Sequence, residues 1–203
     1  MKSLCFLLLL LPLLVSAQGE EFKPVPRQEA SLLVGFGGRP NPWVVGTCGF
    51  LSCADVLVFE DRASVSTGIA YHYLLPLGPL WLGAGGSFES MGTGRAERYA
   101  ALTGIAEYRL GRGRVQPVIR MEAGAGVPVG SRWRPIANRT VGELIHPSVG
   151  LLVATGPQRG HELLVTAGYR FASTSFSSTD LYGRPAERDI TYRRLSITLA
   201  SRF

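Results

Sequence analysis

Past Val15 the chain has no apolar run long enough for a membrane-crossing helix, because Gly, Pro, Arg or Glu interrupts every candidate. Such a helix needs roughly 20 residues. Helical spanning is therefore excluded beyond that point, and any membrane position there must be taken by strands. Cysteine is scarce, with three residues at positions 5, 48 and 53. The pair in "TCGFLSC" has no third Cys and no His beside it, so the four ligands of a structural zinc site are lacking. No cofactor motif stands either. The glycine runs "GFGG", "GAGG" and "GAGAG" lie inside alternating segments with no helix after them, which fits bends in strands better than a phosphate loop.

What is present begins with "MKSLCFLLLLLPLLVSAQ", one Lys followed by a Leu-rich run that is too short to span. Val15 and Ala17 supply the small-residue pattern of a signal peptide, so residues 1–17 are expected to be removed after Ala17. Cys5 lies within the apolar run, which does not indicate a lipoprotein site. Export to an oxidising compartment favours a disulfide between Cys48 and Cys53. The net charge of +6 could suit nucleic acid, but export turns that preference toward anionic lipid or surface polysaccharide. No second domain is evident. The expected organisation is a signal peptide at 1–17, a short periplasmic segment at 18–28 and one barrel domain at 29–203.

The strongest signal is period-two alternation, which a strand with two different surroundings imposes. In "YRRLSITLASRF", Leu195, Ile197, Leu199 and Phe203 share one face, while Arg194, Ser196, Thr198 and Arg202 share the other. Seven further segments of about ten residues alternate, near Glu29–Gly38, 63–73, 80–89, 99–110, 115–127, 145–155 and 161–171. Short Gly/Pro connections, "LPLGP", "GRGR" and "GPQRG", join the second to third, fourth to fifth and sixth to seventh segments. The other connections are mostly longer, at about Arg39–Arg62, Pro128–Gly142 and Ser173–Asp189, with Ser90–Glu97 shorter. Tight turns at one end and long loops at the other, with an even strand count, are the pattern of an eight-stranded antiparallel up-and-down transmembrane barrel. Tyr71, Tyr73, Trp81 and Tyr108 fall near the short turns, and Phe36, Phe88 and Phe171 toward the long loops, where aromatic girdles would lie. Pro117 and Pro147 are awkward for a closed ladder because each removes a donor.

On these features the chain resembles the OmpA-type small outer-membrane barrels, over essentially the whole chain expected to remain after cleavage at Ala17. The resemblance implies short periplasmic turns, extracellular loops, outer-membrane lipid and lipopolysaccharide as surroundings, a monomer, and no enzyme activity, nucleic-acid partner or cofactor. In that family a final Phe preceded by alternating apolar residues is read by the barrel assembly machinery. Leu195, Ile197, Leu199 and Phe203 match that motif, and Ser201 departs from it. The "SAQ" region also resembles exported proteins of the Bacteroidetes type, which implies a Gram-negative cell envelope.

With the polar face inward, Glu107, Arg120, Glu122, His146, Arg170 and Arg194 are expected to form a luminal network. Eight strands leave room only for side chains, so these charges have to be paired. Arg132, Arg134, Arg139, Arg184 and Arg188 form a basic loop set that suits lipopolysaccharide phosphates. Two other readings use the same residues. His146 and Ser148, with Glu162, suggest a lipid A-modifying hydrolase of the outer membrane, although strand geometry sets Glu162 at the opposite end. A soluble periplasmic lipocalin-like barrel would instead turn the oily face inward around an apolar ligand.

Overall fold

The computed structural model describes residues 25–37, 43–48, 53–58, 64–91, 97–111, 113–130, 136–155, 161–179 and 185–203. At 43–48, 53–58, 178, 179, 185, 186, 188 and 190 only the backbone is described. The signal segment at 1–17 and most of 18–28 lie outside the described residues. Ten strands follow in order: β1 (Arg27–Gly37), β2 (Trp43–Cys48), β3 (Cys53–Val58), β4 (Ser64–Leu77), β5 (Leu80–Ser90), β6 (Arg98–Arg109), β7 (Val115–Gly130), β8 (Gly142–Ala154), β9 (Glu162–Thr179) and β10 (Pro185–Arg202). No helix occurs among the described residues.

Eight of these strands form a closed antiparallel barrel in the order β1-β4-β5-β6-β7-β8-β9-β10. Closure comes from β1 against β10, with Glu29 opposite Arg202 and Gly37 opposite Arg194. The two backbone bonds between Gln28 and Phe203, at 2.9 and 3.1 Å, extend that seam to the last residue. The barrel proper therefore presents no unpaired edge. The remaining two strands pair as a hairpin, and β2 joins the outer part of β10 through Val45–Ala186 and Val44–Glu187.

Polarity is inverted relative to a soluble barrel. Leu32, Phe36, Ile69, Leu102, Ile119, Val149, Leu195, Ile197 and Leu199 all point outward and stay exposed, Leu102 at 78 %. Their strand neighbours Glu29, Ser31, His72, Thr103, Arg120, Ser148, Arg194 and Thr198 are buried. Apolar side chains also enter the interior, but at its ends. Met91, Tyr99, Leu144, Phe176 and Tyr192 cluster toward the long-loop end. Leu74, Trp81 and Ile105, and separately Val118, Leu152, Leu164 and Ala200, cluster toward the short turns.

Several sequence expectations are corrected. The connection expected at Ser173–Asp189 is mostly strand, since β9 and β10 pair continuously out to Thr179–Pro185. The span Arg39–Arg62 contains the β2–β3 hairpin. The turn after β4 is only Gly78–Pro79, because Leu77 already pairs with Leu80. Gly78 has φ +66°, the positive value that a two-residue hairpin turn can require at its first position. Trp81 does not join a girdle. It is buried, and the guanidinium of Arg109 stacks 3.8 Å from its ring centroid. Pro147 leaves its mark: the β8–β9 ladder skips His146 and Pro147 and resumes at Ser148–Gly168.

Candidate functional site: the charged interior

The interior is assembled by strand register rather than by any loop. Trp81 faces Glu107 across β5–β6, Glu107 faces Arg120 across β6–β7, and Glu122 faces His146 across β7–β8. These pairings bring inward-pointing side chains to neighbouring heights. Gly85 sits opposite His72 on β4, where a Cβ would run into the Tyr71 backbone and the imidazole ring. Glycine there makes room for the histidine.

Two carboxylates and two guanidiniums form the densest part. Arg202 binds Glu107 with both nitrogens, at 2.7 and 2.5 Å, and its Nε reaches Glu29 at 2.8 Å. Arg120 holds Glu29 from the other side at 2.8 and 2.6 Å. Glu29, Glu107 and Arg202 are each 0 % exposed. Such forked pairs satisfy charge and geometry together, which buried ions require. Toward the short turns, Arg109 bridges Glu107 at 3.2 Å and Glu162 at 3.1 and 3.2 Å.

A second part centres on Arg170. Its Nε lies 2.9 Å from Glu89, Nη1 lies 3.5 Å from Glu122, and Nη2 donates to Ser87 at 3.3 Å. His146 is 3.3 Å from Glu122 through Nδ1 and 2.7 Å from Ser196 Oγ through Nε2. His72 contacts Thr103 at 2.8 Å and lies 3.8 Å from Glu29. Arg194 stands higher, donating to Ser64 Oγ at 2.8 Å and to the Met91 carbonyl at 2.6 Å. Of the six expected luminal residues, Glu107 and Arg120 thus fall in the first part, Glu122, His146 and Arg170 in the second, and Arg194 near the long-loop end. Glu29, His72, Glu89, Arg109, Glu162 and Arg202 are the network members that sequence reasoning passed over. Their inward parity on alternating strands was the signal that could have found them.

Ser196, His146 and Glu122 stand in the order of a hydrolytic triad. All three are buried, at 3, 3 and 5 % exposure, and neither Ser196 nor His146 borders the small interior cavity described below. Ser148 makes no hydrogen bond through its buried Oγ. Glu162 pairs at the height of Ala154, eight positions below His146 on β8, roughly 26 Å at about 3.3 Å per residue. Nor do the described residues contain a group of three or more His, Cys, Asp or Glu placed to hold a metal ion.

Of the basic loop set, Arg139 is exposed, and its Nη2 lies 3.5 Å from the Ile136 carbonyl. Arg132, Arg134 and Arg184 lie outside the described residues, and Arg188 is described only in its backbone. Cys48 and Cys53 are the closing pair of the β2–β3 hairpin, with their Cα atoms directly opposite. Leu195, Ile197, Leu199 and Phe203 all face outward along β10.

No protein-family model and no curated protein matches this sequence. Among solved structures, the chain is similar to the crystal structure of Neisserial surface protein A (NspA), with 11 % identity, coverage of 88 % of this chain and 98 % of that one, and a TM-score of 0.48. The eight-stranded closed barrel is established by this chain's own strand pairing.

Proposed function

We propose that this protein is an exported, non-enzymatic outer-membrane barrel of the OmpA type, with a structural or surface-interaction role in the cell envelope. The observation that carries the reading is the inverted polarity: an apolar outer wall around a charged, paired interior. In water that wall would be an adhesive patch far larger than soluble monomers expose. In hydrocarbon it is the favourable surface, and closure pairs the strand backbones with one another apart from the gap at His146 and Pro147. The eight barrel strands, 11 to 18 residues long, meet the length a tilted crossing needs, about 9–11 residues.

The short turns and the C-terminus then belong on the periplasmic side, with the long connections and the β2–β3 hairpin outside. Residues 1–17 serve as the cleaved signal, and Leu195, Ile197, Leu199 and Phe203 as the assembly signal. Arg132, Arg134, Arg139, Arg184 and Arg188 contact lipopolysaccharide phosphates. The hydrolase reading is disfavoured by the burial of His146 and Ser148. The lipocalin-like reading is disfavoured by an interior filled with ion pairs, where an apolar ligand finds no complementary surface. Expression with the signal peptide, separation of the two membranes and electrophoresis with and without boiling test the proposal. An outer-membrane band that shifts on heating supports it; recovery in the soluble periplasmic fraction refutes it.

A further inference from the structure

Against the β4–β5 wall the interior keeps a cavity offering about 20 Å³ to the centre of a water molecule. Glu89, Glu122, Arg120, Arg170, Ser31, Ser87 and Thr198 supply its polar lining. Glu89 and Glu122 each engage Arg170 through Oε2. Their other oxygens, Oε1, are buried without a hydrogen-bond partner, and so is Thr198 Oγ1. Glu89 is 2 %, Glu122 5 % and Thr198 7 % exposed.

Leaving three such groups without a hydrogen bond in one small space is expensive, more so for a carboxylate than for a hydroxyl, and among the described residues Glu122 Oε1 has only His72 Nε2 nearby, at 4.0 Å. A buried water needs roughly 10–15 Å³ and two to four polar partners. The volume suffices, and three buried polar atoms of the lining residues are available as partners. We propose that this cavity is a binding site for a single internal water, which donates its two protons to Glu89 Oε1 and Glu122 Oε1 and accepts one from Thr198. The two carboxylates held by Arg170 are thereby linked a second time. A cation would fit the carboxylates but not the Arg120 and Arg170 guanidiniums that share the lining. The inference is independent of where the barrel resides.

The test is a crystal structure at a resolution that shows ordered solvent, joined to urea unfolding of two variants in detergent. Density within hydrogen-bond distance of all three atoms is expected. Thr198→Val is nearly isosteric; with the water present it removes a partner and lowers the urea midpoint. Ser148→Ala deletes an unpaired hydroxyl away from the cavity, so its midpoint should hold or rise. An empty cavity, or a Thr198→Val midpoint that holds or rises as Ser148→Ala does, overturns the proposal.

Discussion

Arg202 and Glu107 meet as a forked ion pair inside the barrel, Nη1 to Oε1 at 2.7 Å and Nη2 to Oε2 at 2.5 Å, although 95 residues separate them in the chain. Arg202 also ties Glu29, so one side chain on the last strand links the first strand to the middle of the barrel. Replacing it with Met leaves two buried carboxylates short of a partner, a change that costs about 3–5 kcal/mol. Arg202→Met should lower the unfolding free energy in detergent by that order. Arg202→Lys should recover only part of the loss, since an ammonium lacks the fork. A wild-type urea curve for Arg202→Met would show that the network contributes nothing.

The outer wall makes the opposite demand. Leu102 and Ile197 point away from the protein, so in water an Arg at either site would be nearly neutral. Toward the middle of a bilayer the same change costs about 2–4 kcal/mol. Leu102→Arg and Ile197→Arg should therefore fold poorly into phospholipid vesicles, as read by the heat-dependent gel shift. Folding as efficient as wild type would argue against lipid contact at those sites.

Directly opposed residues in an antiparallel ladder have Cα atoms about 4.5–5.5 Å apart, inside the range a disulfide accepts. Cys48 and Cys53 occupy such a pair. Protein isolated from the envelope should resist alkylation until a reductant is added, and its mass should be lower by two hydrogens. Immediate alkylation at both thiols would remove the disulfide from the account.

The buried Ser196–His146–Glu122 chain is expected to hold structure, not to react. Ser196→Ala and His146→Ala should lower stability while leaving lipid A acylation, followed by mass spectrometry in expressing cells, the same as with the wild-type protein. Acylation that changes with the wild type and not with His146→Ala would establish a hydrolase.

On the proposed reading Phe203 serves assembly more than stability, and its ring stays exposed just past β10. Phe203→Ala should reduce the amount reaching the outer membrane in cells and leave refolding into detergent micelles close to wild type. Equal losses in both would assign the residue to packing.

Much of the barrel is legible in the sequence because each strand has two different environments, and period-two alternation records them. Where the environments become alike, the signal fades. Beyond Ala172 on β9 the run 173–179 is Ser and Thr on both faces apart from the single apolar Phe176, so a continuing strand reads as loop. Trp81 misleads for a related reason: a bulky aromatic beside a turn suggests a girdle, while its parity sends it inward under Arg109. Glu29 lies near the beginning of β1 and Arg202, on the polar face of the last strand, ends β10, and nothing local in the sequence pairs them. Only closure of the barrel brings them opposite each other.

The most direct measurement is a nitroxide scan of β10 in the reconstituted protein, with single labels at Leu195, Ile197 and Leu199 and a reference at exposed Glu187. Dissolved oxygen, which concentrates in hydrocarbon, should relax the three wall labels strongly, and a water-soluble nickel chelate should reach only the label at Glu187. If the chelate reaches all four equally, the apolar wall faces water and the membrane-barrel account is wrong.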